Sequence, residues 1–136
     1  MEKNHGPQNL TIGKTGTAST TVTDSNTAKA VWSGSLDVFA TPMMIALMES
    51  AACECLSDCM EEGQTSVGNM ISVEHTKASP IGAEIKASAA IESINGRRIV
   101  FAVTANDDSG EIGKGKHERT IIDAERFMGK LKKQEG

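Results

Sequence analysis

The longest apolar pattern in the chain predicts one buried helix. Between Pro42 and Met60, apolar residues occur on nearly every side of a helix, which is typical of a helix enclosed by other structure. Thr41 can cap this helix, and Pro42 fits its first position, where a missing N–H costs nothing. Gly63 is a suitable stop signal. We therefore predict a helix that begins at Pro42 and ends at about Met60.

Shorter patterns on both sides of this helix predict strands. The segment Thr17–Asp24 is rich in Thr and Val, which favour strands. After the helix, apolar and polar residues alternate with a period of two, as in half-buried strands. The strands predicted there are Ser66–Lys77, Glu84–Ile94, Arg98–Ala105 and Glu111–Ile122. The residues that alternation places on one apolar face of the first of these are Val67, Ile71, Val73 and His75.

Glycine positions and the C-terminal pattern complete the set of predicted elements. The pair Asn95 and Gly96 is typical of a two-residue hairpin turn. Gly113 and Gly115 indicate a bulge or a close backbone approach in the last strand. Residues 124–133 have the pattern of a short amphipathic helix.

The order of these elements indicates an α+β fold. A helix that is apolar on all sides must be enclosed, and a curved antiparallel sheet of about five strands wrapped round it is the simplest solution. This is the hot-dog fold, which we expect to form one domain over residues 1–136. We expect residues 1–9 to be flexible and residues 124–136 to form a C-terminal helix or tail. Pairing with a second copy would cover the sheet edges, so a homodimer is expected.

Composition and charge exclude several classes of function. The 136 residues carry a formal net charge of -4, which argues against nucleic acid as the main partner. No apolar run approaches the roughly 20 residues needed to span a bilayer, so no membrane association is expected. The polar N-terminus has no signal-peptide pattern. An odd number of cysteines close to one helix indicates reduced thiols and a cytoplasmic protein, and these residues are Cys53, Cys55 and Cys59.

Two polar residues stand where an apolar residue would be expected. Glu49 lies within the apolar helix and His75 on the apolar face of the next strand. A carboxylate and an imidazole that face one interior form either an acid–base pair or a buried pair that only satisfies itself. Thr41 precedes Glu49 by eight residues of helix, so their backbones are about 12 Å apart. Either a substrate bridges the two residues, or the site combines residues of two subunits.

Other candidates have a structural reading and a functional one. Cys55 and Cys59 are four residues apart, but packing of small soft side chains explains them better than a metal site. Gly68 could leave a free N–H for an oxyanion, or could mark a bulge. His117 receives no role. Basic residues on the strands could bind phosphates or could form a solvated sheet face, and these are Lys77, Arg97, Arg98, Lys114, Lys116 and Arg119.

Several stretches resemble the fluoroacetyl-CoA thioesterase family of hot-dog proteins. They are VFATPMMIALMESA, VGNMISVEHTKASPIG, INGRR and EIGKGKHERTIIDAERF, which run in order from about Asp37 to Lys130. The resemblance implies a dimer with its sites at the subunit interface, no metal, and no cofactor apart from the coenzyme A of the substrate. It implies that the catalytic residues are Thr41, Glu49 and His75. It implies that the substrate-binding residues are Gly68, Val38, Trp32 and Arg119.

The function predicted from the resemblance is hydrolysis of a short-chain acyl-CoA thioester to the free acid and CoA. Glu49 would act either as the nucleophile or as a general base towards water. Two lid phenylalanines of the fluoroacetyl-specific member fall on Trp32 and Ser35, and the second is not aromatic here. We therefore expect another acyl preference. The alternatives are a hot-dog acyl-CoA hydratase or dehydratase and a non-catalytic acyl-CoA binding protein.

Overall fold

The computed structural model describes residues 9–135, so the expected flexibility of residues 1–9 lies outside the described range apart from Asn9. Within this range the fold has five strands and two helices. The strands are β1 (Thr15–Thr21), β2 (Gln64–His75), β3 (Glu84–Asn95), β4 (Arg98–Asp107) and β5 (Gly110–Asp123). The helices are α1 (Thr41–Leu56) and α2 (Ala124–Glu135).

All five strands form one antiparallel sheet in the order β1-β3-β4-β5-β2. The predicted hairpin is confirmed: β3 and β4 pair up to Asn95 and Arg98, and Gly96 takes the positive φ of 63° that such a turn requires. The strand β2 follows α1 in the chain but lies at the far edge of the sheet, beside β5. Because β2 is an edge strand, it lies beside the exposed part of α1 and not in the core.

The helix α1 packs against the sheet mainly through β1 and β3. Its buried side chains are Met44, Met48, Ala51, Ala52, Cys55 and Leu56. They meet apolar residues that alternate inward from β3 and β4, as predicted: Ile85, Ala87, Ala89, Ile91, Ile99, Phe101 and Val103. Burial of each large apolar side chain contributes about 1.5–3 kcal/mol. At Gly16 of β1, the backbone of Cys55 is so close that a Cβ atom would overlap it.

Three predictions about α1 were wrong. One side of the helix is open to solvent in the single chain, with Ala46, Ser50 and Cys53 exposed, so it is not enclosed all round. Ala40 occupies the N-cap position, so no side chain caps the helix; Thr41 is the first helical residue, and its hydroxyl bonds His75. The helix ends at Leu56 rather than near Met60, because the hydroxyl and backbone N–H of the next residue both bond the Glu54 carbonyl.

A bulge in β2 changes which residues face the helix. The register with β5 shifts between Gly68 and Met70, so Asn69 is the extra residue. Before the bulge, Ser66 faces inward, and Val67 does not lie on the inward face that simple alternation predicted. After the bulge, the odd-numbered residues face inward as predicted, including His75 opposite Gly113. One inserted residue therefore reverses the pattern within a single strand.

The remaining elements agree with expectation except in their bounds. The first strand begins at Thr15 and ends at Thr21, slightly earlier than predicted. Gly113 is a close-approach position, since a Cβ there would lie 2.6 Å from Met44 Sδ of α1 and from the Glu74 carbonyl. The amphipathic terminal helix α2 is confirmed. Neither helix in the described part of the chain is long and apolar enough to cross a membrane.

Candidate active site

The first polar cluster joins the start of α1 to the end of β2. Thr41 lies in the first turn of the helix and His75 is the last residue of the strand. Their side chains form a hydrogen bond of 2.8 Å between Thr41 Oγ1 and His75 Nδ1. The other ring nitrogen, His75 Nε2, is buried and has no hydrogen-bond partner among residues 9–135. Burial lowers the pKa of His75, so the imidazole is neutral at neutral pH.

Thr41 and His75 line a cleft of about 260 Å³. Val38 also lines it, held in place by an isolated β-bridge to Pro80. Thr41, His75 and Val38, which the sequence assigned to catalysis and substrate binding, therefore share one cleft. Trp32 does not line this cleft in the single chain, and its side chain is 92% exposed. Its predicted part in substrate binding stays a prediction.

The second polar cluster surrounds Glu49 near the middle of α1. The carboxylate atom Glu49 Oε2 lies 3.7 Å from Arg119 Nη1 and 4.0 Å from His117 Nε2. Gly68 faces the same oxygen so closely that a Cβ atom there would lie 2.8 Å from it. The expectation that Glu49 is buried was wrong for the single chain, because its side chain is 42% exposed. It lies at the border of the buried stripe, facing the edge strand β2.

Within one chain, Glu49 therefore does not form the predicted pair with His75. The partners of the carboxylate come from β5, and the partner of His75 is Thr41 at the start of the same helix. The sheet order explains this difference, because β5 lies between β4 and β2 and brings Arg119 and His117 opposite the middle of α1. The sequence could not show this pairing, since it depends on which strands are neighbours.

Arg119 and His117 form a buried platform beneath Glu49. Arg119 donates from Nε to Ser66 Oγ at 2.8 Å and from Nη2 to the Ser66 carbonyl at 3.1 Å. Its Nη1 lies 3.1 Å from His117 Nε2, while His117 Nδ1 lies 2.8 Å from the Met70 carbonyl. A neutral imidazole that donates from Nδ1 and accepts at Nε2 satisfies both contacts. Burial is the first cause that lowers the pKa of His117, and the positive charge of Arg119 lowers it further.

His117 is the residue that sequence reasoning left without a role. The signal was present, because β5 alternates and His117 shares the inward face with Arg119 and Ile121. Its ring also stacks on Phe101 with the centroids 6.2 Å apart. His117 is thus fixed by the core on one side and contacts the Glu49 cluster on the other.

The two clusters differ in what chemistry they can perform. The Glu49 cluster combines an accessible carboxylate with a guanidinium and a bulged backbone, which suits attack on a carbonyl and stabilisation of an oxyanion. The Thr41 cluster offers a hydroxyl bonded to a neutral imidazole, which suits hydrogen bonding to a substrate or proton transfer. Within one chain the clusters are separated by eight residues of helix, or about 12 Å.

The cysteines lie outside both clusters. Cys53, Cys55 and Cys59 are free thiols, the last two buried in the core. Among residues 9–135, no group of three histidine, cysteine or acidic side chains is arranged to hold a metal ion.

A long helix held in a curled five-stranded sheet, with a carboxylate on the helix facing the edge strand, defines a hot-dog protein of the thioesterase class. The sequence model of the family described as fluoroacetyl-CoA-specific thioesterase matches residues 22–125. The fluoroacetyl-CoA thioesterase of Streptantibioticus cattleyicolor is 40% identical over 98 residues, which are 72% of this chain and 70% of that protein. The chain belongs to the fluoroacetyl-CoA-specific thioesterase family.

Solved structures agree with this assignment. The structure of the fluoroacetyl-CoA thioesterase FlK superimposes with a TM-score of 0.87 at 32% identity, covering 93% of this chain and 98% of FlK. A thioesterase superfamily member from Thermus thermophilus also gives a TM-score of 0.87, at 24% identity and over 94% and 95% of the two chains. The second similarity concerns the fold alone. Together these findings confirm the predicted family and the hot-dog fold.

Proposed function

We propose that the protein is an acyl-CoA thioesterase that hydrolyses a short-chain acyl-CoA to the free acid and CoA. The observation that carries this proposal is the position of Glu49. Its carboxylate faces Gly68 of the edge strand β2, and Glu49 Oε2 lies 3.7 Å from Arg119 Nη1. A reacting thioester placed at Gly68 would meet a negatively charged oxygen on one side and a fixed cation on the other. Family membership supports the same reaction class.

In this mechanism the Glu49 carboxylate acts either as the nucleophile or as the general base. It either attacks the thioester carbonyl to form an acyl-enzyme anhydride, or removes a proton from the attacking water. In both routes the C–S bond breaks and CoA leaves as the thiol. Label found in Glu49 after a single turnover in heavy-oxygen water would identify the anhydride route, because water that attacks the glutamyl carbonyl of the anhydride leaves its oxygen on Glu49. Water is the second reactant, and the reaction requires no cofactor.

Arg119 and the bulge in β2 would stabilise the oxyanion. Arg119 is held in place by Ser66 and His117, so its charge is preorganised at little cost during the reaction. The register shift between Gly68 and Met70 makes Asn69 the extra residue of the bulge, directly after Gly68, which is the position that approaches Glu49. Because Gly68 has no side chain, space for the substrate remains beside Glu49. A side chain at this position would collide with the Glu49 carboxylate.

We also propose a homodimer in which each site combines the two clusters from different protomers. The free edge of β2 lies beside the Glu49 cluster, and Met70 and Ile71 on this edge strand are exposed large apolar side chains. Trp32 and Leu36 in the segment before α1 are exposed as well. A second copy across this edge would cover these residues and would bring its Thr41–His75 pair towards Glu49 of the first protomer. The buried Nε2 of His75 would then have a substrate or partner atom to bond.

The acyl preference and the cellular location are further parts of the proposal. Ser35 leaves the second lid position without an aromatic ring, which supports an acyl group other than fluoroacetyl. The three free thiols support a reducing compartment, the cytoplasm.

Replacement of Glu49 by Gln tests the proposed reaction. Hydrolysis is measured on a panel of substrates that runs from acetyl-CoA and fluoroacetyl-CoA to longer and aromatic acyl-CoAs and includes one enoyl-CoA. The products are separated by chromatography, and no thiol reagent is used. We expect Glu49→Gln to lower kcat by a factor of about 10²–10⁴ on the best substrate. Glu54→Gln, an exposed substitution on the same helix, is the matched control. Near-normal turnover in Glu49→Gln would reject the mechanism. Hydration of the enoyl-CoA with an intact thioester, or binding without turnover, would reject the reaction class.

A further inference from the structure

Asp107, the last residue of β4, carries a buried carboxylate that belongs to neither polar cluster of the site. Its side chain is 4% exposed, and each of its two oxygens accepts two hydrogen bonds. Oδ2 accepts from Lys77 Nζ at 2.7 Å and from Ser79 Oγ at 2.9 Å. Oδ1 accepts from the backbone N–H of Ser109 at 2.8 Å and from its hydroxyl at 3.1 Å. The bond from Lys77 is the main cause that holds the pKa of Asp107 well below its usual range, so the carboxylate is charged at neutral pH.

The two oxygens of this carboxylate hold different parts of the chain. The bonds from Ser109 to Oδ1 close the turn between β4 and β5, which is a common role of aspartate in tight turns. The bonds to Oδ2 come from the loop between β2 and β3, from residues 30 and 28 positions earlier in the chain. The turn needs only Oδ1, so the bonds of Oδ2 hold the loop and not the turn.

Lys77 connects this carboxylate to His75. It follows His75 by two residues and lines the cleft that contains the imidazole. Burial lowers the pKa of His75, and the backbone of Lys77, which lies beside the ring, offsets part of this effect. The bond from Lys77 Nζ to Asp107 therefore fixes the residue whose backbone lies beside the imidazole.

Ser79 connects the same carboxylate to Thr41. Ser79 is fully buried, and its carbonyl accepts the backbone N–H of Phe39 at 2.9 Å. The residue after it forms the β-bridge to Val38. These contacts hold the segment that leads directly into α1, where Thr41 is the first residue. Both halves of the first polar cluster are thus tied to one loop, and Asp107 anchors that loop at two points.

We propose that Asp107 is a positioning residue for the reaction, because its carboxylate aligns Thr41 with His75 through the loop between β2 and β3. This inference rests on the proposed thioesterase function. The hydroxyl and the imidazole lie on separate elements, so the 2.8 Å bond between them requires the start of α1 and the end of β2 to keep their relative position. A misplacement of about 1 Å can cost a catalytic step about 10²-fold in rate. Among residues 9–135, the carboxylate forms no hydrogen bond with either member of the pair and acts through Lys77 and Ser79.

Asp107→Asn breaks this link and spares the turn. The single amide oxygen can keep the bond from the Ser109 N–H, whereas the NH₂ group in place of Oδ2 accepts no bond from Lys77 or Ser79. The side chain of Lys77 is 40% exposed, so its freed ammonium can be hydrated. We expect kcat on the best acyl-CoA to fall about tenfold with little change in KM, at a temperature at which the variant is fully folded. Asp108→Asn, at the exposed neighbour in the same turn, is the matched control and should keep its kcat.

A double-mutant cycle separates positioning from a general loss of stability. In a Thr41→Val chain the bond that Asp107 aligns is already absent, so Asp107→Asn should lower kcat by less than about twofold further. A further loss of the full factor of about ten would show independent effects and would overturn the proposal. Ser79→Ala removes one bond to the carboxylate and leaves no unpaired charge, so it repeats the test if Asp107→Asn does not fold. It should lower kcat in the natural chain but not in the Thr41→Val chain.

Nitrogen NMR of the imidazoles gives a readout that does not depend on turnover. The ¹⁵N signals of His75 report the bond to Thr41, and those of His117 in the second polar cluster are the internal reference. We expect Asp107→Asn to shift the His75 signals and to leave the His117 signals in place, whereas Asp108→Asn should shift neither. Unchanged His75 signals, or equal shifts at both histidines, would overturn the proposal. A shift confined to His75 in a protein that hydrolyses no thioester would reject the proposed reaction and leave the alignment by Asp107 standing.

Discussion

The hydroxyl of Thr41 lies 2.8 Å from Nδ1 of His75, although the two residues are 34 positions apart in the chain. This bond joins the first turn of α1 to the end of the edge strand β2. Thr41 is the first residue of the helix and not its N-cap, so its hydroxyl is available for this bond. The other ring nitrogen, His75 Nε2, is buried without a hydrogen-bond partner among residues 9–135. An unsatisfied buried nitrogen is costly, so its place in a candidate active site points to a contact made with substrate or with a second protomer.

The first prediction concerns the hydroxyl of Thr41. Thr41→Val keeps the shape of the side chain but removes the bond to His75, so we expect kcat/KM for the best acyl-CoA to fall about 10²-fold. Thr41→Ser keeps the hydroxyl and should retain most of the activity. Steady-state kinetics on the purified variants checks both values. Equal activity of the Val variant and the natural protein would show that the bond to His75 is structural.

The second prediction tests whether one site uses two protomers. Thr41→Ala and Glu49→Gln should each be nearly inactive alone. If the clusters combine across a dimer, mixed and refolded variants form heterodimers with one intact site, and activity should recover to about a quarter of the natural value. Sedimentation or light scattering should give twice the mass of the chain. No recovery in a mixture that demonstrably exchanges subunits would place the whole site within one chain.

The third prediction concerns Gly68. An alanine Cβ at this position would lie 2.8 Å from Glu49 Oε2, which is the end of a flexible side chain that can move aside. We therefore expect Gly68→Ala to lower kcat at least tenfold while Tm changes by only a few degrees. Gly113→Ala is the informative contrast, because its Cβ would lie 2.6 Å from the Glu74 backbone carbonyl and should destabilise the fold. Full activity in Gly68→Ala would show that the Glu49 position is not critical.

The fourth prediction is a loss of stability on acidification. Burial lowers the pKa of His75 and of His117 below the ordinary value of 6.5. Above pH 6.5 these histidines are neutral in both the folded and the unfolded chain, so they cause no pH dependence. Below pH 6.5 the unfolded chain takes up protons that the folded chain does not, and the free energy of unfolding falls until the folded pKa is reached.

Melting curves between pH 7.5 and about pH 5 measure this effect. In this window the acids whose pKa values are lowered, such as Asp107 and Glu118, are still ionised in both states and contribute little. His117→Gln, which can still accept a hydrogen bond from Arg119, should make Tm less dependent on pH. A Tm that stays constant or rises as the pH falls through this window would contradict the prediction.

Local pattern was sufficient for much of the fold. The apolar run gave the position of α1, alternation gave the inward faces of β3 and β4, and the residues at the β3–β4 turn required a positive φ at Gly96. These features depend on neighbours a few residues apart, so they can be read from the chain. The resemblance to a known family added the list of site residues, including Gly68 and Arg119, whose close approach to Glu49 the structure shows.

The sequence by itself determined the elements, the family and the residue types of the site, whereas the tertiary structure alone decided which of those residues meet. Thr41 pairs with His75, and Glu49 pairs with Arg119 and His117, because β2 crosses to the edge of the sheet beside β5. One extra residue at the β2 bulge set which side chains face the helix. Strand order and register arise from contacts between distant segments, and a periodic pattern carries no information about them.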